Sequence, residues 1–177
     1  ASITAEPLKE SINYLFNPGQ DYGNFIIPAV LVLVLQQTLL IGLSESIAKE
    51  KEEKSMKELF STAGNKVSIA LFGKTFYYFV IYMSYALLFF TLHFTVFKLN
   101  LAGSFILLMG ITGLFLLTMI PLSLFIGSLF NRKLIALQII AFTSYPFFFL
   151  SGYAFPSYSM PEGIQYIANI LPGTPYF

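Results

Sequence analysis

The sequence predicts an all-α polytopic membrane protein, from its hydropathy and from the positions of its charges. Hydrophobic residues make up 56% of the 177 residues, and the mean hydropathy is +0.72. Charged residues account for 11%, against roughly 25% in an average soluble domain. Four stretches contain no charge, and each is longer than the ~20 residues that a helix needs to cross the hydrocarbon core. They are 22–44, 75–97, 99–131 and 134–161.

Within these stretches we predict four transmembrane helices, at 25–44, 75–97, 104–130 and 134–150. The first follows "NPGQDYGN", whose Asn, Pro, Gly and Asp residues are typical of a turn. In the third span, Pro121 removes one backbone hydrogen bond, which predicts a kink.

Lysine and arginine predict the orientation of these spans. Residues 45–74 contain six lysines and the link at 131–133 contains Arg132 and Lys133, whereas residues 151–177 contain none. The positive-inside rule therefore places both basic links in the cytoplasm and both ends of the chain outside. Because one further span at each end would complete this topology, we expect the sequence to be a piece of a longer protein.

The segment "SIAKEKEEKSMKELF", residues 46–60, predicts a short helix along the cytoplasmic surface. Nine of the charged residues fall within 45–58, and helix formers dominate the segment. Its apolar residues form one edge. They are Ile47, Met56, Leu59 and Phe60. A headgroup-contacting helix and a docking element both fit, and the acidic residues favour docking to protein because anionic lipid would repel them.

The segment 151–177 is too polar and too rich in proline to span a membrane. Between Pro161 and Pro172, apolar residues recur at helical spacing, which predicts a short amphipathic helix that dips into the outer leaflet. They are Ile164, Ile167, Ile170 and Leu171.

The residue types argue against an enzyme and against several ligands. The chain has no cysteine and one histidine, and its spans carry no paired carboxylates, so we expect no cofactor, no metal and no catalytic residues. "SIALFGKT", residues 68–75, has Ser68 where a phosphate-binding loop needs glycine, and a span follows it. The net charge of +1 predicts no nucleic-acid partner.

In their order and motifs these elements resemble the membrane subunit of type-2 ABC exporters, in the branch with a large extracytoplasmic domain between the first two spans. The resemblance covers nearly all of the chain and rests on four stretches. They are "NPGQDYGNFIIPAVLVLVLQQ", "AKEKEEKSMKELF", "GKTFYYFVIY", and "YPFFFLSGYAFP" with "MPEGIQYIANILPGTPYF".

The resemblance implies three regions. Residues 1–24 end an extracytoplasmic region, 25–150 form the transmembrane domain, and 151–177 form a re-entrant region on the outer face, with the final span missing. The residues expected to shape the re-entrant region are Gly152, Pro156, Pro161 and Pro172.

The resemblance also implies that 46–60 is a coupling helix that contacts a separate ATPase subunit. The residues expected to take part are Glu45, Lys49, Glu50, Glu52, Glu53, Ser55, Glu58 and Leu59. The family often has an Arg-Glu motif followed by Gly-Thr, whereas Lys49 and Glu50, then Lys54 and Ser55, stand here. This departure leaves open which acidic residue makes the contact.

The function that the resemblance implies is that of an ABC exporter permease in the inner (plasma) membrane. The chain would form half of the translocation path, pair with a second permease half as a homo- or heterodimer, and leave ATP hydrolysis to the ATPase subunit. The lipid bilayer and a periplasmic adaptor are further expected partners. The alternative is a membrane anchor or assembly factor that does not transport and recruits a cytoplasmic partner through 46–60.

Overall fold

A computed structural model describes residues 22–96, 103–152, 160–170 and 173–174, which form six helices and, within these ranges, no strand. The helices are α1 (Tyr22–Glu52), α2 (Met56–Thr62), α3 (Val67–Val96), α4 (Phe105–Leu129), α5 (Lys133–Leu150) and α6 (Glu162–Ile170). The predicted all-α fold is confirmed.

Three helices are long and apolar enough to cross a membrane. α1, α3 and α4 have 31, 30 and 25 residues. At ~1.5 Å per residue each exceeds the ~30 Å hydrocarbon core, and the three match the first three predicted spans to within one residue at the ends of the second and third. The fourth predicted span lies in α5, a shorter apolar helix of 18 residues, and its crossing remains a prediction.

α1 is the central helix and packs against α3, α4 and α5. Contacts such as Ser44 with Ser123 and Lys51 with Ser128 run in the same direction along both helices, so α1 and α4 are parallel. The shared core consists of fully buried aliphatic side chains of these two helices. They are Leu35, Leu39, Leu40, Leu43, Leu116, Met119 and Ile120.

Small residues bring the backbones of α1 and α4 close together near their C-terminal ends. The Ser44 hydroxyl donates to the Ser123 carbonyl oxygen over 2.8 Å. A Cβ added to Gly127 would lie 2.7 Å from the Ser44 carbonyl oxygen and 2.8 Å from its Cα. Glycine is therefore needed at 127, because both neighbouring atoms belong to the backbone.

The segment 46–60 is helical for most of its length, but it is not the single helix that the sequence predicts. Residues 46–52 are the last two turns of α1, and α2 begins at Met56. The break is at Lys54, whose φ of 58° lies in the left-handed region and ends a right-handed helix. Pro121 lies inside α4, which continues past it, and a kink there remains a prediction.

The described part of 151–177 contains the predicted amphipathic helix as α6. Its Ile164, Ile167 and Ile170 side chains are exposed on the protein surface. Gly152 has a φ of 83°, and Pro161 directly precedes α6, whereas Pro156 and Pro172 lie outside the described residues.

The chain after α6 returns to the middle of α1. A Cβ on Gly173 would lie 3.3 Å from the Gln36 side-chain oxygen, and Gln36 is near the midpoint of that helix. The re-entrant interpretation of this region remains a prediction, and this contact favours it.

We predict that Gly127→Ala destabilises the protein by about 1–3 kcal/mol, because the new methyl group would overlap the Ser44 backbone. Thermal unfolding of the purified full-length protein in detergent measures the effect. Gly110→Ala is the matched control: it lies on the same helix with no atom within 4 Å of the added Cβ, so it should be neutral or slightly stabilising. Equal stability of the two variants would contradict the close approach.

Candidate functional site

The candidate site is the C-terminal end of α1, where three consecutive charged residues bind three different helices. Successive residues of a helix point about 100° apart, so Glu50, Lys51 and Glu52 face different neighbours. Their partners are Lys74 in α3, Ser128 in α4 and Lys133 in α5. We call these three pairs the charged clamp.

The pair between Glu50 and Lys74 is the most buried of the three. The Lys74 Nζ lies 2.7 Å from Glu50 Oε1, with side-chain exposures of 12% and 20%, and it also donates to the Ser46 hydroxyl over 2.6 Å. The second carboxylate oxygen of Glu50 is buried and has no hydrogen-bond partner among the described residues. Loss of Lys74 would therefore leave a buried carboxylate without its cation, which is costly.

The other two pairs join α1 to the ends of α4 and α5. The Lys51 ammonium donates to the Ser128 carbonyl oxygen over 2.6 Å, next to the C-terminus of α4. A Glu52 carboxylate oxygen accepts the backbone N–H of Lys133, the first residue of α5, over 2.9 Å. Both contacts satisfy backbone groups at helix ends and place each charge at the helix terminus of favourable polarity.

The turn after the clamp has a defined geometry. The Ser55 N–H donates to the Glu50 carbonyl oxygen over 3.0 Å, and the Lys54 N–H donates to that of Lys51 over 3.3 Å. These two bonds form a Schellman motif, in which lysine stands where glycine is usual.

α2 ends in the same type of motif. The Asn65 N–H donates to the Phe60 carbonyl oxygen over 2.7 Å, and Gly64 has a φ of 64°. α2 is thus a seven-residue helix held between two capped turns.

α2 and the turn before it present charges of both signs to solvent. Glu53, Lys54, Lys57 and Glu58 are all exposed, and α2 has no buried residue. Glu53 lies 3.9 Å from Lys49, but both side chains are more than half exposed, so this ion pair contributes little. These charges remain available to a partner.

A groove of 490 Å³ separates α2 from the start of α3. Leu59 and Ala63 form one wall, and Tyr77 and Tyr78 belong to the other. The groove also contains the clamp residue Lys74.

The structure divides the predicted coupling residues into two groups. The first group makes contacts within the chain. The Glu50 and Glu52 carboxylates bind α3 and α5, Leu59 lines the groove, and the Ser55 N–H caps α1. Glu45 is partly buried, whereas Lys49, Glu53 and Glu58 are exposed. That these residues bind a partner remains a prediction.

Lys51 and Lys74 are residues of this site that were not predicted from the sequence. One feature of the sequence could have indicated Lys74. This lysine stands at the border of an uncharged stretch, and the end of the preceding long helix is rich in acidic residues that could pair with it. Within the described ranges, no cluster of His, Asp and Glu could hold a metal ion.

The chain belongs to the ABC-2 family of transporter proteins, whose family model matches residues 1–177. It is 30% identical to the probable multidrug ABC transporter permease YbhS of Escherichia coli K12 over 173 residues. This aligned region covers 96% of the present chain and 45% of YbhS. The probable permease YbhR of the same organism is 24% identical over 157 residues, 89% of this chain and 42% of YbhR.

The chain therefore spans less than half the length of these curated relatives. No solved structure matches it. The family predicted by resemblance is confirmed.

We predict that Glu50→Gln lowers the free energy of unfolding by about 1–3 kcal/mol, because Lys74 loses its charged partner. Lys74→Met should have a similar effect, and the double variant should lose less than the sum of the two. Thermal unfolding of the full-length protein measures all three. Glu53→Gln is the matched control, with a change within about 0.5 kcal/mol expected at its exposed pair. Additive losses from the two single variants would contradict a direct pair.

Proposed function

We propose that this chain is the permease segment of an ATP-driven ABC exporter and forms half of its translocation path. A separate ATPase subunit would hydrolyse ATP, and the chain would have no catalytic residues. A second permease half, identical or related, would complete the path in the inner (plasma) membrane. The observation that carries the proposal is the exposed helix α2, attached through a capped turn to the clamped end of α1.

The charged clamp would couple movement of α2 to movement of the membrane spans. α2 follows α1 after three residues, and α1 is tied at its end to α3, α4 and α5. A force on α2 would therefore act on four helices together. ATP binding to the partner would bias one of two arrangements of this bundle, and the substrate would bias the other.

The exposed charges of α2 and of the turn before it support a choice of the surface that would meet the ATPase. Glu53 and Glu58 are exposed beside Lys54 and Lys57, and such a mixed pattern suits a protein surface with charges of both signs. Glu50 and Glu52 are already bound within the chain. We therefore assign the contact to Glu53 and Glu58.

Large apolar side chains on α3, α4 and α5 are exposed and would face lipid or the second permease half. Examples are Val80 and Leu88 on α3, Leu114 on α4 and Phe142 on α5. A periplasmic adaptor is a further proposed partner of the outer side. The relatives are named as probable multidrug transporters, so amphipathic small molecules are the first substrates to assay.

We predict that Glu53→Lys combined with Glu58→Lys lowers ATPase stimulation and transport about tenfold, because like charges would then meet at the interface. The assay uses the full-length permease with its ATPase, reconstituted in vesicles. Glu162→Lys is the matched control, since it reverses an exposed acid on α6, which packs against α5, and should leave both activities unchanged.

Full activity in the double variant would contradict the assignment of this contact. Purification with a partner that is not an ATPase would instead favour the membrane anchor.

A further inference from the structure

The groove between α2 and α3 has the features of a receptor for a side chain of another protein. We propose that it takes an aromatic or large aliphatic side chain from the ATPase subunit, an inference that rests on the proposed function. The groove would then be the central anchor of the contact, and the charges of α2 would form its rim.

Most of the groove lies on the cytoplasmic side of the predicted membrane boundary, and Tyr77 and Tyr78 extend it into the first turn of the second predicted span. Its α3 wall includes Ile69, Ala70 and Gly73, which precede the second predicted span at 75–97. Its other wall is α2, which follows the charged end of α1. The part of the groove that precedes position 75 is a surface that a soluble protein can reach.

The interior of the groove does not favour an anionic lipid headgroup. Lys74 is the cation inside it, and this lysine is already bound to Glu50 over 2.7 Å and to Ser46 over 2.6 Å. A phosphate would have to displace a carboxylate from a pair that is mostly buried. The remaining walls are mainly apolar and suit a hydrocarbon side chain.

The rim of the groove carries charges of both signs. Glu58 is exposed on α2 next to the lining residue Leu59, and Lys66 is exposed just before α3, between the lining residues Ala63 and Ile69. An apolar centre surrounded by a polar rim is the usual arrangement of a protein interface, and one buried anchor residue often provides much of the affinity. The groove volume of 490 Å³ accommodates one or two large side chains.

Filling the groove from within the chain tests its role. Gly73 lines the groove, and no atom lies within 4 Å of a Cβ added there, so the side chain of Gly73→Phe starts in open space and would extend into the groove. We expect it to lower ATPase stimulation about tenfold or more at unchanged expression and thermal stability. Gly110→Phe, at an equally open position on α4, should leave stimulation unchanged. Full stimulation with Gly73→Phe would overturn the proposal.

Photo-crosslinking identifies the occupant without blocking the groove. Benzoylphenylalanine replaces Tyr77, an exposed aromatic of the groove wall, in the full-length permease assembled with its partner. The same replacement at Tyr85, two turns further into the span, is the control and should give lipid adducts.

The proposal expects an adduct at position 77 with a polypeptide that carries G-x-x-x-x-G-K-S/T. An adduct with lipid alone, while that ATPase is present and stimulated, would overturn the groove assignment and leave the proposed function intact. Absence of any ATPase from the purified wild-type complex would overturn both.

Discussion

The ion pair between Glu50 and Lys74 fixes the point at which α1 and α3 meet, and the site around it depends on this point. Long apolar helices in a bilayer have little hydrophobic reason to prefer one register, because lipid solvates their surfaces as well as a neighbouring helix does. A short charge-assisted contact at the membrane border defines the register, since a shift of one turn would leave both charges unpaired.

Two further contacts connect the end of α1 to α4 and α5, so that four helices meet there. Lys51 caps the end of α4, and Glu52 binds the first N–H of α5, so the link between these helices is held from α1. The close approach of Ser44 and Gly127 provides tight packing one to two turns from this meeting point. Because Lys54 and Gly64 cap the turns on either side of α2, this helix is held in one orientation relative to α1 and α3.

Much of the fold follows from composition, because uncharged stretches of sufficient length have few structures open to them in a membrane. The positions of α1, α3 and α4 and the amphipathic helix α6 could be predicted in this way. The break at Lys54 could not, since it is a lysine in a position where glycine is the usual signal. By contrast, Gly64 marks the end of α2 in the sequence.

The internal use of Glu50 and Glu52 depends on contacts across 24 and 81 residues of sequence. Local patterns do not contain this information, so the sequence predicted equal roles for acids that the fold separates. The exposed acids Glu53 and Glu58 have different partners. Glu53 pairs with the exposed Lys49, Glu58 lies in the first turn of its own helix, and in the described residues no ion pair ties either acid to α3, α4 or α5.

We expect α2 and the ends of α1 and α5 that the charged clamp joins to move as one body. Spin labels at positions 57 and 132, both exposed, would measure the distance between α2 and the start of α5 in the full transporter. We predict that the distance distribution between positions 57 and 132 is the same with and without a non-hydrolysable ATP analogue, while the distance between the two permease halves changes. A nucleotide-dependent shift between positions 57 and 132 would contradict it.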